Sequence, residues 1–181
     1  MRVRIGDLPP GASFLQQLRH AELSAMTGEE IADKLRQLAN SGWERSALKW
    51  HFERHRRQVG ADTAEEYAEL ARQVVGSYTH VFSEIYIDPQ AVQQYGLGRM
   101  LPWEREEKIK EVEEQLPRSW IFVDEQTGRV AVVSDKGTFM TLYAHTVPQG
   151  IAAFIEHRLA TEAVRIIVEV SPANTRSTSY G

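Results

Sequence analysis

Hydrophobic and polar residues follow two different patterns along the chain. Up to about residue 76, apolar residues recur three or four positions apart in segments that start at helix-capping residues. From residue 78 onward, short apolar runs are separated by glycine-marked turns, which is typical of strands. The pattern predicts an α+β fold in which N-terminal helices pack on an antiparallel β-meander, with an added C-terminal helix and strand.

The two halves divide the chain into predicted elements. The helices of the first half start at Ser13, Thr27, about Trp43 and Thr63. The third of them is predicted to end at Val59, with Gly60 as its C-cap. The second half predicts a strand over 78–88, a loop over 93–101, a charged helix over 102–116, meander strands at 120–123, 130–133 and 139–145, a helix over 148–161 and a strand over 164–170.

These elements also predict the domain organisation. We expect an N-terminal arm over 1–12, a single α+β domain over 13–170 that is helical over 13–76 and mainly sheet over 78–170, and a flexible tail over 171–181. The 181 residues suffice for one such domain with a hydrophobic core.

Composition narrows the possible functions. The chain has no cysteine, which excludes disulfides and thiolate metal sites. Neither a secretory signal nor a membrane-spanning run is visible, so we expect a soluble protein without a membrane span. The net charge of −4 means that any nucleic-acid site is a local basic patch rather than the whole surface.

The densest positive charge surrounds two histidines in the segment 45–57. Helical spacing places His51 and His55 one turn apart on the same face. Ordinary solvent-facing histidines on a basic helix are one interpretation. Zinc binding is a weaker one, because the glutamate position does not match the H-E-x-x-H motif and the neighbouring cations repel a metal. The third interpretation is acid–base chemistry at a phosphate.

Cleavage of RNA by its own 2′-hydroxyl needs that third chemistry and no metal. It requires a base for the hydroxyl, an acid for the leaving oxygen and cations for the phosphate charge. His51 and His55 are candidates for the base and the acid. The candidate phosphate-binding residues on the same segment are Lys49, Arg54 and Arg57.

The last strand of the predicted meander is a second candidate site wall. Strict alternation puts Phe139, Thr141, Tyr143 and His145 on one face and Met140, Leu142 and Ala144 on the core face. A face carrying Thr, Tyr and His either lines a site or is an outward polar face without function. Lys136 and Arg129, in or beside the turns of the meander, are further candidate cations.

Two groups of motifs resemble a known family. The residues 48–55 and 60–71 resemble the "HFxKH…G…s-x-E-E-Y…A" opening of barnase/RelE-like (BECR-fold) ribonuclease toxin domains of bacteria and phages. The residues 124–133 and 137–143 resemble the closing "D-x-x-T-G-x-x-A-V…G-x-x-x-T-x-Y" meander of the same domains, which often form the C-termini of polymorphic and contact-dependent inhibition toxins.

The resemblance implies a metal-independent endoribonuclease without a cofactor. Its helix histidine corresponds to His51 or His55, and its strand residues correspond to Thr141 and Tyr143. It also implies RNA, often tRNA, as the substrate, an immunity or antitoxin protein as a partner, and action in the cytoplasm after delivery from another cell or expression from a phage. The alternatives are a non-catalytic protein that uses the same fold to dock a nucleic acid or an acidic protein, and a phage-related assembly protein.

Overall fold

A computed structural model describes residues 38–40, 42–44, 46–134, 136–160 and 165–169. The predicted arm, the first predicted helix, most of the second and the predicted tail lie outside the described residues. The helices within that part are α1 (Ala47–Val59), α2 (Ala64–Gly76), α3 (Pro89–Tyr95), α4 (Pro102–Val112) and α5 (Pro148–Ala160). None of them is long and apolar enough to cross a membrane.

The strands form one antiparallel sheet. They are β1 (His80–Ile85), β2 (Arg118–Asp124), β3 (Arg129–Ser134), β4 (Phe139–Ala144) and β5 (Arg165–Glu169). Their order is β4-β3-β2-β1-β5, so the predicted meander β2-β3-β4 is present and its last strand lies at an edge of the described sheet. The predicted α+β class and the added C-terminal helix and strand are confirmed.

Helices pack on both faces of this sheet. On the first face, α2 contacts β2, β3 and β4, and its Tyr67 and Val74 join a core that contains Trp120, Phe122 and Leu142. On the second face, Ile151 and Ile155 of α5 pack on apolar residues of β1, β2 and β3. Because α5 covers only one end of the second face, the rest of that face forms the floor of a cleft.

The helix α1 lies along the edge strand β4 and begins later than the sequence predicts. Trp43 is not its first residue, because Trp43 forms an isolated parallel bridge with Phe139 and stacks on that ring. Ser46 then takes a left-handed conformation, at φ 67°, and turns the chain into the helix. The predicted C-cap is confirmed: Gly60 is left-handed and its N–H donates to the Arg56 carbonyl.

Two further predictions are corrected between β1 and β2. The predicted loop over 93–101 contains the end of α3 and a 3₁₀ turn at Leu97–Arg99. The start signal of α3 was missed: Asp88 accepts a hydrogen bond from the Ala91 N–H, and a proline follows it. The charged helix α4 ends at Val112 rather than at residue 116, and its last residues continue as a 3₁₀ turn over Glu113–Gln115.

The strand β4 contains a bulge that strict alternation did not predict. Thr141 pairs with Val132 and Phe139 pairs with Val133, which leaves Met140 as an extra residue between them. Phe139 and Leu142 therefore share the first face, where both are fully buried. Thr141 and Tyr143 point to the second face, so the prediction that Phe139 shares their face was wrong.

Candidate functional site

The edge of β4 is closed by side chains from two helices. The Tyr67 hydroxyl of α2 donates to the Leu142 carbonyl and accepts from the Leu142 N–H at 3.1 Å. The Gln58 side-chain oxygen of α1 accepts from the Ala144 N–H at 3.5 Å. These contacts satisfy backbone groups that an edge strand leaves without a ladder partner, and they fix α1 against β4.

His51 and His55 project from α1 toward this edge. Their rings stack with centroids 5.7 Å apart and planes 8° from parallel. The His51 Nδ1 lies 3.0 Å from the Thr141 hydroxyl oxygen, and the His55 ring lies 6.0 Å from the Tyr143 ring. The helix spacing of four residues and the bulged strand thus bring two imidazoles beside a hydroxyl and a phenol.

A hydrogen bond defines the tautomer of the His55 imidazole. The Gln58 oxygen that accepts from Ala144 also lies 3.2 Å from the His55 Nδ1, so this nitrogen carries the proton and donates. The His55 lone pair is then on Nε2 when that ring is neutral. The His51 Nδ1 and the Thr141 hydroxyl share one hydrogen bond, in which either atom can be the donor.

The cleft beside His51 has a volume of about 400 Å³. Its floor is the uncovered part of the second sheet face, with Thr141 and Tyr143 at the β4 side and Glu84 at the β1 side. Arg158 of α5 reaches the cleft, where its guanidinium lies 3.6 Å from the Glu84 carboxylate and stacks 3.5 Å from the Phe154 ring centre. The Arg158 Nε is buried and has no hydrogen-bond partner among the described residues. One wall thus carries a histidine, and the other carries a cation.

Burial and charge shift the titration of these groups. Partial burial lowers the pKa of His51 below its usual 6.5, and the charges of His55 and Arg54 lower it further. Partial burial also lowers the pKa of His55, although the hydrogen bond to Gln58 opposes this and Arg54 adds to it. Burial raises the pKa of Tyr143 to about 12, so its hydroxyl stays protonated near neutral pH. The site therefore holds two mostly neutral imidazoles and a phenol that can donate.

These shifts predict that the protein loses stability on acidification below pH 6.5, the ordinary pKa of histidine. Burial lowers the pKa of His51, His55 and His145 in the folded state, so the unfolded chain binds more protons in this range. The free energy of unfolding then rises with pH and levels off above about 6.5, the ordinary histidine pKa. Urea unfolding at several pH values measures this slope. The variant His55→Ala should have a shallower slope than the control His157→Ala, and equal slopes would contradict the assignment.

The sequence-predicted site residues do not all meet in the cleft. His51, Thr141 and Tyr143 line it, and His55 stacks on the His51 ring beside Tyr143 without lining the cleft. Lys49 is exposed on α1 and does not line the cleft. Arg54 lies over the Trp50 ring, and both Arg54 and Arg57 line a separate hollow at the end of α1. Lys136 lines a neighbouring cavity that shares Glu44 and Met140 with the cleft.

Three contributors to the site were missed from the sequence. Glu84 shares a sheet face with the apolar Phe82 two residues earlier, and Arg158 follows Phe154 by one helical turn. The spacing of Glu84 from Phe82, or of Arg158 from Phe154, could have placed these charged residues at the second sheet face. Neither residue lies in a recognisable motif. Gln58, which orients His55, lies within the basic segment but is uncharged and drew no attention.

Among the described residues, no group of three or more histidines, acids or cysteines lies close enough to hold a metal ion. Comparison with known proteins gives no further guide, since no family model, no curated protein and no solved structure matches this chain.

Proposed function

We propose that this protein is a metal-independent endoribonuclease in which the 2′-hydroxyl of RNA attacks the adjacent phosphate. The observation that carries the proposal is the stacked pair His51 and His55, 5.7 Å apart, beside a cleft with Arg158 on its opposite side. Two neighbouring imidazoles offer one base and one acid, which are the groups that the reaction requires.

The environment of each imidazole supports a division of roles. Partial burial and then the charge of His55 lower the pKa of His51, so protonation of His55 favours the neutral form of His51. The Gln58 oxygen accepts from His55 and favours its protonated form. We assign His51 as the base that takes the 2′-hydroxyl proton and His55 as the acid that gives a proton to the leaving 5′-oxygen.

Charge on the reacting phosphate has two candidate partners in the cleft. Arg158 lines the cleft and carries the cation, with the Glu84 carboxylate 3.6 Å from its guanidinium. Tyr143 adds a hydroxyl that remains protonated because burial raises its pKa to about 12. A guanidinium and a neutral donor aimed at a phosphate stabilise the charge that develops during attack.

The test is incubation of the purified protein with a structured RNA in excess EDTA. We expect fragments that end in a 2′,3′-cyclic phosphate and a 5′-hydroxyl, and a single 2′-deoxy nucleotide at the cleaved position should block that cut. The double variant His51→Ala/His55→Ala should be inactive, whereas His157→Ala, an exposed histidine of α5, should retain activity. The proposal fails if the folded wild-type protein cuts no RNA, or if the double variant cuts equally well.

A second candidate function is binding without catalysis. It is favoured by the exposed cations Lys49, Arg54 and Arg57, which lie on α1 outside the cleft and suit an acidic protein or a nucleic-acid backbone. Binding that persists in the double variant, together with no turnover by the wild type, would select this function. An immunity or antitoxin partner and a cytoplasmic site of action remain predictions from the resemblance.

A further inference from the structure

Trp50 is an exposed aromatic residue that takes no part in the core. Its surface is 55% exposed, whereas Leu48 and Phe52 of the same helix pack against the core of the first sheet face. The Trp50 ring meets the His51 ring edge-on, with centroids 4.8 Å apart. A large flat apolar surface is therefore held in solvent directly beside the imidazole assigned as the base.

Arg54 adds a cation to this surface. Its guanidinium carbon lies 5.1 Å from the centre of the Trp50 ring, one helical turn away. Nucleobases stack on aromatic rings and on guanidinium planes, and an arginine can also contact a phosphate. Trp50, Arg54 and Arg57 follow one another at helical spacing, so exposed positive charge continues from the ring along the helix.

We propose that Trp50 and Arg54 form a subsite that stacks an unpaired nucleobase beside the reacting phosphate, which makes single-stranded RNA the substrate. The inference rests on the proposed ribonuclease function and deepens it. A base inside a duplex has both faces covered by its neighbours, so only an unpaired or displaced base can lie against the indole. The subsite thus selects for loops and single strands without reading a particular sequence.

Trp103 provides a matched control because it is equally exposed in a different electrostatic setting. It is 61% exposed at the start of α4, where Glu104, Glu106 and Glu107 outnumber the one cation among them, Arg105. Negative charge around that indole repels the phosphates of a nucleic acid. We therefore expect Trp103 to contribute nothing to RNA binding.

The experiment measures binding of a fluorescent 2′-O-methyl oligonucleotide, which cannot be cleaved because its 2′-oxygen is blocked. The same strand is tested alone and annealed to its complement, against wild type, Trp50→Ala, Trp50→Phe and Trp103→Ala. We expect Trp50→Ala to weaken single-strand binding by about tenfold, in the range for loss of one stacked base. Trp50→Phe should recover part of the loss, and duplex binding should be weaker and unaffected by either change.

Intrinsic fluorescence gives an independent readout of the same contact. In a Trp103→Phe background, Trp50 is the most exposed of the remaining tryptophans within the described residues. Its emission should be quenched by the single strand, and the quenching should disappear when Trp50 is also replaced by phenylalanine.

The inference is overturned if Trp50→Ala binds the single strand as tightly as wild type, or if Trp103→Ala weakens binding equally. It is also overturned if the duplex binds as well as the single strand. Its failure is separable from failure of the proposed function, because the blocked oligonucleotide reports binding and the unmodified RNA reports cleavage. A protein that stacks the single strand through Trp50 but cuts no RNA would support the subsite and reject the enzyme.

Discussion

Replacement of His51 or His55 by alanine is expected to lower the rate of RNA cleavage by roughly 10²- to 10⁴-fold each, which is the usual contribution of general acid–base catalysis. The two losses should differ in character. With a uridine 3′-phosphodiester of 4-nitrophenol, the leaving group needs no proton, so His55→Ala should regain most of the wild-type rate. His51→Ala should stay slow on this substrate, because the 2′-hydroxyl still needs a base.

The pH dependence of kcat/KM tests the same roles. Burial lowers the pKa of both imidazoles, so the bell-shaped profile should fall on its alkaline side from below pH 6.5, as the acid loses its proton. The alkaline fall should disappear in His55→Ala, and the acidic fall should disappear in His51→Ala. The assignment of roles is wrong if the kcat/KM profile of each variant keeps both its acidic and its alkaline fall. It is also wrong if the nitrophenyl substrate restores the rate of neither variant.

Replacement of Tyr67 by phenylalanine is expected to destabilise the protein by about 2–4 kcal/mol, although the ring and its packing remain. The lost hydroxyl serves both the N–H and the carbonyl of Leu142, and buried backbone groups without partners cost roughly 1–3 kcal/mol each. Chemical unfolding measures this change. Cleavage should also slow by about tenfold, because Leu142 of the loosened strand adjoins Thr141, whose hydroxyl contacts His51.

The variant Tyr95→Phe is the matched control for this prediction. Its hydroxyl donates to Gln115 at an exposed position, so water can replace the contact. We expect a change below about 0.5 kcal/mol and unchanged cleavage. Equal destabilisation by the two variants would mean that the Tyr67 hydroxyl does not support the edge strand. If Tyr67→Phe destabilises the protein without any loss of activity, the Tyr67 hydroxyl does not support the orientation of His51.

Local patterns predicted most of the fold. Apolar residues at helical spacing identified α1, α2 and α5, and apolar runs between glycine turns identified the meander, because these signals act over a few residues. The start of α1 was predicted at about Trp43. This residue instead forms a β-bridge with Phe139, far along the chain, which no local pattern encodes. The helix α3 was missed because it is short and carries no strong apolar period. Its Asp88-Pro89 start was the only usable signal.

The candidate site was predictable on one side only. His51 and His55 stand four residues apart, and Thr141 and Tyr143 stand two apart, so each pair could be found within its own element. Glu84 and Arg158 meet through the packing of α5 on β1, which no local spacing encodes. Charge density was misleading, because Lys49, Arg57 and Lys136 were chosen for their sign and lie outside the cleft. The half-buried Arg158, isolated in sequence, reaches it.

The bulge at Met140 gives the edge strand tolerance to a change in length. Without Met140, regular alternation would still place Phe139 and Leu142 on the first sheet face and Thr141 and Tyr143 on the second. An in-frame deletion of this one residue would therefore preserve the sheet while removing a side chain from the cleft wall. The shape of the cleft could then change through loss of a single codon, without any repacking of the interior.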